Sequence, residues 1–145
     1  MKTMIHRFAQ CGSSLLLALA FLWSAGCGPK APDAAAHDQA IRARYAEFIK
    51  VLCAENYAAC VALTDPTVVQ DKGAETVTGA YKLLGGLIKT ANVKEKDVRI
   101  DGVAFNADFT TVQVQTSLSL KGEWKKQTPS QWIRSHGQWF LVPAL

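Results

Sequence analysis

An α+β fold, with N-terminal helices packed on a curved antiparallel sheet, is predicted by a change of hydrophobic period along the chain. Up to about residue 90 the apolar residues recur every three or four positions, as on one face of a helix. After Asn92 they recur every two, as on one face of a strand. Turn-forming pairs such as Lys121-Gly122 and His136-Gly137 divide that second stretch into hairpins.

Ile41, Tyr45, Phe48, Ile49 and Leu52 form the first apolar stripe, which predicts a helix over about 37–54 with Asp38 at its start. Glu55-Asn56 breaks it. A short second helix, Tyr57 to Leu63, stops at Asp65-Pro66, because the residue before proline avoids the helical region. A third helix over 73–90 places Val77, Ala80, Tyr81, Leu84, Leu87 and Ile88 on one face. Gly85-Gly86 lies inside it, and close packing against another element accounts better for the pair than a kink at a pocket.

Val98 and Ile100 share one phase and Val103 and Phe105 the opposite one, so a bulge is expected at Gly102. Asn106-Ala107-Asp108 is a turn. Val112, Val114, Thr116, Leu118 and Leu120 then alternate with polar residues in one long strand. A further strand over 124–134 contains Pro129, which predicts an edge or an irregular stretch. His136-Gly137 closes the last hairpin, pairing Arg134 with Trp139, Ile133 with Phe140 and Trp132 with Leu141. Both faces of that hairpin are largely apolar. One can cover the helices, and the other is expected to meet a ligand, a membrane or a second subunit.

The first 27 residues have the layout of an export signal. Lys2, His6 and Arg7 precede an apolar run, Leu15 to Trp23, too short to span a bilayer as a helix. The run ends in Ser24-Ala25-Gly26-Cys27. This resembles the lipobox of bacterial lipoproteins, which implies lipidation of Cys27 and membrane attachment through it. Ser24 stands where the family usually has Leu, and cleavage by ordinary signal peptidase, releasing a soluble protein, is the alternative. Gly28 after the cysteine, by the same resemblance, implies an outer-membrane address facing the periplasm. Residues 28–36 read as a short tether running up to His37, and 37–145 as one domain. Cys11 lies inside the signal.

The closing segment W-I-R-S-H-G-Q-W-F-L-V, Trp132 to Val142, resembles the final hairpin of the nuclear transport factor 2-like superfamily. The first helix and the A-E-N-Y-A-A-C segment after it are similar to that family's opening. The resemblance implies a cone in which the sheet wraps the long helix around a cavity. Its members include isomerases, cyclases, epoxide hydrolases and non-enzymatic binding or scaffold domains.

The chemistry of the domain narrows these choices. Of the net charge of +4, Lys2 and Arg7 supply two units. The lysines at 94, 96, 121, 125 and 126 alternate with acids, so they read as solvated faces and not as a nucleic-acid surface. His37 and His136 are isolated, and no metal or nucleotide motif appears, so no cofactor is expected. An oxidising envelope would favour a Cys53–Cys60 disulfide, provided the helix breaks between them; the alternative is two small buried hydrophobes. Tyr45, Trp124, Trp132 and Trp139 are candidates to line an apolar pocket. Acid–base catalysis would need Tyr45 with a buried acid, and the sheet acids Asp101 and Asp108 do not match a known set. An epoxide-hydrolase set drawn from Arg99, Asp101 and Arg134 has no supporting spacing. Catalytic residues are therefore unassigned. The expected role is non-catalytic binding of an apolar small molecule or an envelope partner. The alternatives are an isomerase-, cyclase- or hydrolase-type enzyme, or a scaffold dimerising through the sheet face.

Overall fold

The computed structural model describes residues 33–144. Four helices, α1 (Ala34–Cys53), α2 (Tyr57–Ala62), α3 (Pro66–Lys72) and α4 (Ala74–Thr90), pack against a five-stranded antiparallel sheet. Its strands are β1 (Val98–Phe105), β2 (Thr111–Leu120), β3 (Glu123–Lys126), β4 (Ser130–Ser135) and β5 (Gln138–Val142). The α+β order expected from the sequence is the observed one. The Cys27 site, the export segment and most of the tether lie outside the described residues.

Helix α1 starts earlier than expected. Asp33 caps it, its carboxylate accepting from the amides of Ala35 and Ala36, and Ala34 to Ala36 add the best helix-forming residue type. Asp38 therefore sits inside the helix, where it binds Arg42 at 2.6 Å. His37 is not in a tether. It lies in the first turns of α1 with its ring stacked on Phe109 at 5.0 Å.

Helix α3 was not expected. The Asp65-Pro66 step that ends the preceding helix also begins the next. Asp65 accepts from the amide of Thr67, and proline at the first helical position loses no hydrogen bond. No residue of α3 is buried, so its periodicity carries no signal.

Helix α4 buries Val77, Tyr81 and Gly85, a narrower face than the apolar stripe suggests. Leu83, Leu84 and Leu87 are 76%, 40% and 68% exposed. A β-carbon on Gly85 would lie 2.5 Å from the Tyr57 hydroxyl, so this glycine admits close approach of α2. Gly86 has nothing within 4 Å. Gly86→Ala is therefore expected to stabilise the domain by about 0.5–1 kcal/mol. Gly85→Ala should gain less or destabilise, because Tyr57 must move. Paired chemical denaturation curves of the two variants test the difference.

In the sheet, β2 runs beside β1 on one side and beside both β3 and β4 on the other, and β5 continues from β4. The register between β1 and β2 shifts between Ile100 and Gly102. That extra residue keeps Val98, Ile100, Val103 and Phe105 on the helix-facing side, opposite Leu118, Thr116, Val114 and Val112. The single strand expected over 124–134 is two strands, parted at Gln127–Pro129, since proline cannot donate to the ladder. The side-chain amide of Gln115 bonds the Gln127 carbonyl across that gap at 2.7 Å. The β4–β5 register is as expected, Arg134 opposite Trp139, Ile133 opposite Phe140 and Trp132 opposite Leu141. Both residues of its turn take positive φ, His136 at 50° and Gly137 at 79°, as a twisted two-residue hairpin loop requires.

The core joins Ile41, Tyr45, Phe48, Ile49 and Leu52 of α1 to Val77 and Tyr81 of α4 and to Val112, Val114, Trp132, Trp139 and Leu141 of the sheet. Among the described residues, its buried members run from Ile41 to Leu141. The outer edge of β5 is covered. Leu141 exchanges backbone hydrogen bonds with Leu63 and Asp65, and the Arg44 guanidinium donates to the Trp139 carbonyl. Edge-to-edge strand pairing is blocked there.

Candidate functional site

Two hollows meet between α1, α4 and the inner face of the sheet. The inner one, about 170 Å³, is bounded by Ile49, Leu52 and Cys53 of α1, Leu84 and Ile88 of α4, and Val98 and Leu118 of the sheet. The outer one, about 600 Å³, is bounded by Ala80 and Tyr81 of α4, by Thr128 to Gln131 and by the chain end from Leu141 to Ala144. Tyr45, Phe48 and Leu84 belong to both and form a waist between them. The inner chamber is almost wholly apolar, with Thr116 and Gln127 as its chief polar side chains, since the Ser117 hydroxyl is turned to Asp101 on the outer face. The outer chamber adds Thr128, Ser130 and Gln131. An apolar hollow and one with more hydrogen-bonding groups thus lie side by side.

The tyrosines hold fixed places on this path. Tyr45 is buried on α1 with its ring 5.9 Å from that of Trp132, and its hydroxyl faces the Thr116 hydroxyl at 3.5 Å. Burial pushes its pKa up, partly opposed by that contact. The Tyr81 hydroxyl meets that of Thr64 at 2.6 Å, and Thr64 also donates to the Cys60 carbonyl at 2.9 Å. Tyr81 is therefore the donor in the pair, with its pKa likewise raised by burial. Both phenols are neutral hydrogen-bonding groups at neutral pH, and neither is primed as a base.

The three candidate tryptophans do not converge. Trp132 is fully buried beneath Tyr45 and Phe48. Trp139 packs with Phe105 and His37 near the start of α1. Trp124 stands 44% exposed on the outer face, with the Arg99 guanidinium 4.4 Å from its ring centre. Of the four candidate pocket residues, only Tyr45 borders the chambers. Leu84, Phe48 and Thr116, which matter more to the cavity's shape, had no distinguishing signal beyond their apolar or alternating pattern.

Cys53 and Cys60 are free thiols in the structure; the disulfide is not formed. The helix does break at Glu55-Asn56, but Cys60 is built into the core under Thr64, while Cys53 lies against the inner chamber. Each packs as a small hydrophobe. Burial pushes the Cys60 thiol up to about 11, and burial chiefly, with Glu95 nearby, raises Cys53. Little thiolate then exists at neutral pH. Iodoacetamide at pH 7 is accordingly expected to leave Cys60 unmodified in the native domain and to label it after denaturation, as read by intact mass.

Among the described residues, carboxylates stay away from the two chambers. Asp101 lies on the outer face, accepting from Ser117 at 2.5 Å and from Arg99 at 2.8 Å, contacts that hold its pKa below the usual range. Asp108 is tied to Thr110 in the β1–β2 turn. Arg134 is exposed on β4 and joins neither. A separate depression of about 440 Å³ between α1 and β1 also touches Tyr45 and carries Arg42, Glu95 and Lys96, but the Tyr45 hydroxyl is turned to Thr116. Among the described residues, no three His, Cys, Asp or Glu side chains gather as metal ligands, and no helix is long and apolar enough to cross a membrane.

No family model matches the chain, and no curated protein aligns with it significantly.

Proposed function

We propose that this chain is an envelope lipoprotein, held to a membrane by lipid on Cys27, whose domain is a nuclear transport factor 2-like cone that binds an apolar small molecule without transforming it. The observation that carries the binding reading is the pair of adjacent chambers that share Tyr45, Phe48 and Leu84. Their size and mostly apolar lining, with a few hydrogen-bonding groups at one end, suit a small-molecule site. The lining offers hydroxyls and amides and, among the described residues, no carboxylate, imidazole or amine. Of the other groups that do acid–base chemistry, the lining carries the Tyr45 and Tyr81 phenols and the Cys53 thiol, and burial raises the pKa of each, so none is poised as a base near neutral pH. Hydroxyls and amides instead orient a bound molecule's polar end. The lipid anchor rests on the Ser24-Ala25-Gly26-Cys27 segment alone.

Native mass spectrometry of residues 28–145, exported to an oxidising periplasm and purified gently, tests the binding reading. A reproducible added mass that unfolding releases is expected, and its value would begin to identify the ligand class. A bare monomer would overturn it. The anchor is tested separately by the mass of the N-terminal peptide of the membrane-derived full chain, which should carry a diacylglyceryl group on Cys27.

A further inference from the structure

Two tyrosine–threonine hydroxyl pairs are buried in the domain, and they differ in how well their protons are used. The Tyr81 hydroxyl donates to that of Thr64 at 2.6 Å, and Thr64 gives its own proton to the Cys60 carbonyl at 2.9 Å. Both protons there have acceptors at ordinary distances. The Tyr45 hydroxyl, in contrast, stands 3.5 Å from that of Thr116. An O–H···O bond is ordinarily about 2.5–3.0 Å long, so this contact is weak. Among the described residues neither hydroxyl has another partner, and the Thr116 proton has no acceptor. Both side chains are nevertheless buried, at 8% and 4% exposed, where polar groups are as a rule fully bonded.

Tyr45 and Thr116 both border the inner chamber. Two hydroxyl oxygens 3.5 Å apart leave room for one acceptor atom about 2.8 Å from each. The chamber's other polar side chains are committed elsewhere. Ser117 donates to Asp101, and the Gln127 amide donates to the Lys125 carbonyl at 2.9 Å. Among the described residues, no charged side chain lines either chamber. An ion moved into such a place loses its hydration and gains no counter-charge. The phenol itself is neutral, since burial raises its pKa. A matching ligand is therefore uncharged and presents an acceptor without a proton of its own. A carbonyl oxygen, with two lone pairs, takes both protons, whereas a hydroxyl would bring a third.

We propose that the ligand of the inner chamber is a neutral carbonyl compound, a ketone, ester, lactone or amide, whose oxygen accepts from the Tyr45 and Thr116 hydroxyls while its apolar body lies against Ile49, Leu52 and Ile88. The proposal rests on the small-molecule reading of the groove and narrows it. A buried site built to hydrogen-bond one oxygen discriminates against a ligand that lacks it, because the donors are then left short. It discriminates against a carboxylate as well, because nothing in the lining balances the charge. Both selections come from the same pair of hydroxyls in an otherwise apolar wall.

The test uses the full chain as exported and purified, parent and variants in one buffer, with two probes of the same shape. Cyclohexanone carries the carbonyl oxygen, and methylenecyclohexane has a methylene in its place. Affinities are read from the NMR shift changes of the inner-chamber residues. The Tyr45→Phe, Thr116→Val double variant removes both protons and keeps both shapes. Taking the two partners away together strands neither, so its unfolding midpoint should hold or rise. It should lose about tenfold in cyclohexanone affinity and nothing in methylenecyclohexane affinity. Thr116→Val alone, the milder change, should lose about threefold in the ketone. Cyclohexanecarboxylate should bind the parent about tenfold or more weaker than cyclohexanone. A ketone affinity that the double variant leaves unchanged, or a carboxylate that binds as well as the ketone, overturns the proposal and leaves the groove reading standing. If neither neutral probe shifts the inner-chamber residues, the groove reading falls and this proposal with it.

Discussion

Trp132→Ala is expected to destabilise the domain by about 3–5 kcal/mol, read from equilibrium urea unfolding. The indole is fully buried, packed against Tyr45 at 5.9 Å and edge-on to Phe48 at 6.1 Å. It sits where α1 crosses the sheet, so its loss opens a void lined by both layers, and neither layer can close without moving a whole element. A domain of this size has a total stability of about 5–15 kcal/mol, so much of the margin would go. The indole N–H donates to Ser130 at 3.1 Å, and Trp132→Phe, which loses that bond but keeps a ring, should cost less than alanine. Trp124 provides the control. It is exposed and contacts Arg99, so Trp124→Ala should stay within about 0.5 kcal/mol of the parent. Equal costs for Trp132→Ala and Trp124→Ala would mean that Trp132 is not the centre of the core.

That contrast also shows how far the sequence is legible. Within one hairpin, parity and a two-residue turn set every pairing, so the β4–β5 register follows from Ser135 to Gln138 alone. The bulge is legible because Gly102 marks the point where the apolar phase slips. Parity fails across the break at Gln127–Pro129. Trp124 pairs opposite Ser119 and Trp132 opposite Val112, seven positions apart on β2, so they face opposite sides. Counting eight residues from Trp124 to Trp132 along an unbroken strand puts them on the same side. The unpaired residues between β3 and β4 reset the phase, and their number is fixed by the geometry of β2.

The helical half has a matching blind spot. Periodicity reports which residues are apolar, not how wide a face the neighbours can cover. Leu84 and Leu87 belong to the same stripe as Val77 and Tyr81, yet Tyr57 closing on Gly85 sets the contact side and leaves the leucines outside. The waist of the groove and the exposed stripe both follow from that rotation. At the start of α1 the expected cap was Asp38, but Asp33, five residues upstream, holds that place, because Ala34 to Ala36 extend the helix without adding to its apolar stripe. The candidate site was legible only at Tyr45, whose stripe position on α1 fixed its direction. The chambers themselves depend on distances between α4 and the sheet, which no local pattern encodes.

Leu84→Trp should abolish retention of an apolar ligand while leaving the fold intact. Leu84 borders both chambers and is 40% exposed, so a larger side chain can grow toward the cavity or solvent without entering the packed core. The inner chamber, about 170 Å³, is small enough for an indole at its mouth to fill much of it. Each methylene that a ligand can no longer bury costs about 0.8 kcal/mol, so excluding two or more lowers affinity by about tenfold or more. Leu84→Ala widens the waist instead. It should preserve binding or favour a bulkier ligand, because the apolar walls from Ile49, Leu52 and Ile88 remain. Native mass spectra of the two variants beside the parent separate a groove that holds its ligand from one that is merely a packing gap. An adduct lost in Leu84→Trp and kept in Leu84→Ala places the ligand at the waist. An adduct of equal occupancy in all three places it elsewhere and removes the argument for the groove. Because Tyr45 and Phe48 close the same waist from α1, the companion Phe48→Ala would lose core packing as well as wall, so it is the exposed leucine that can separate binding from folding.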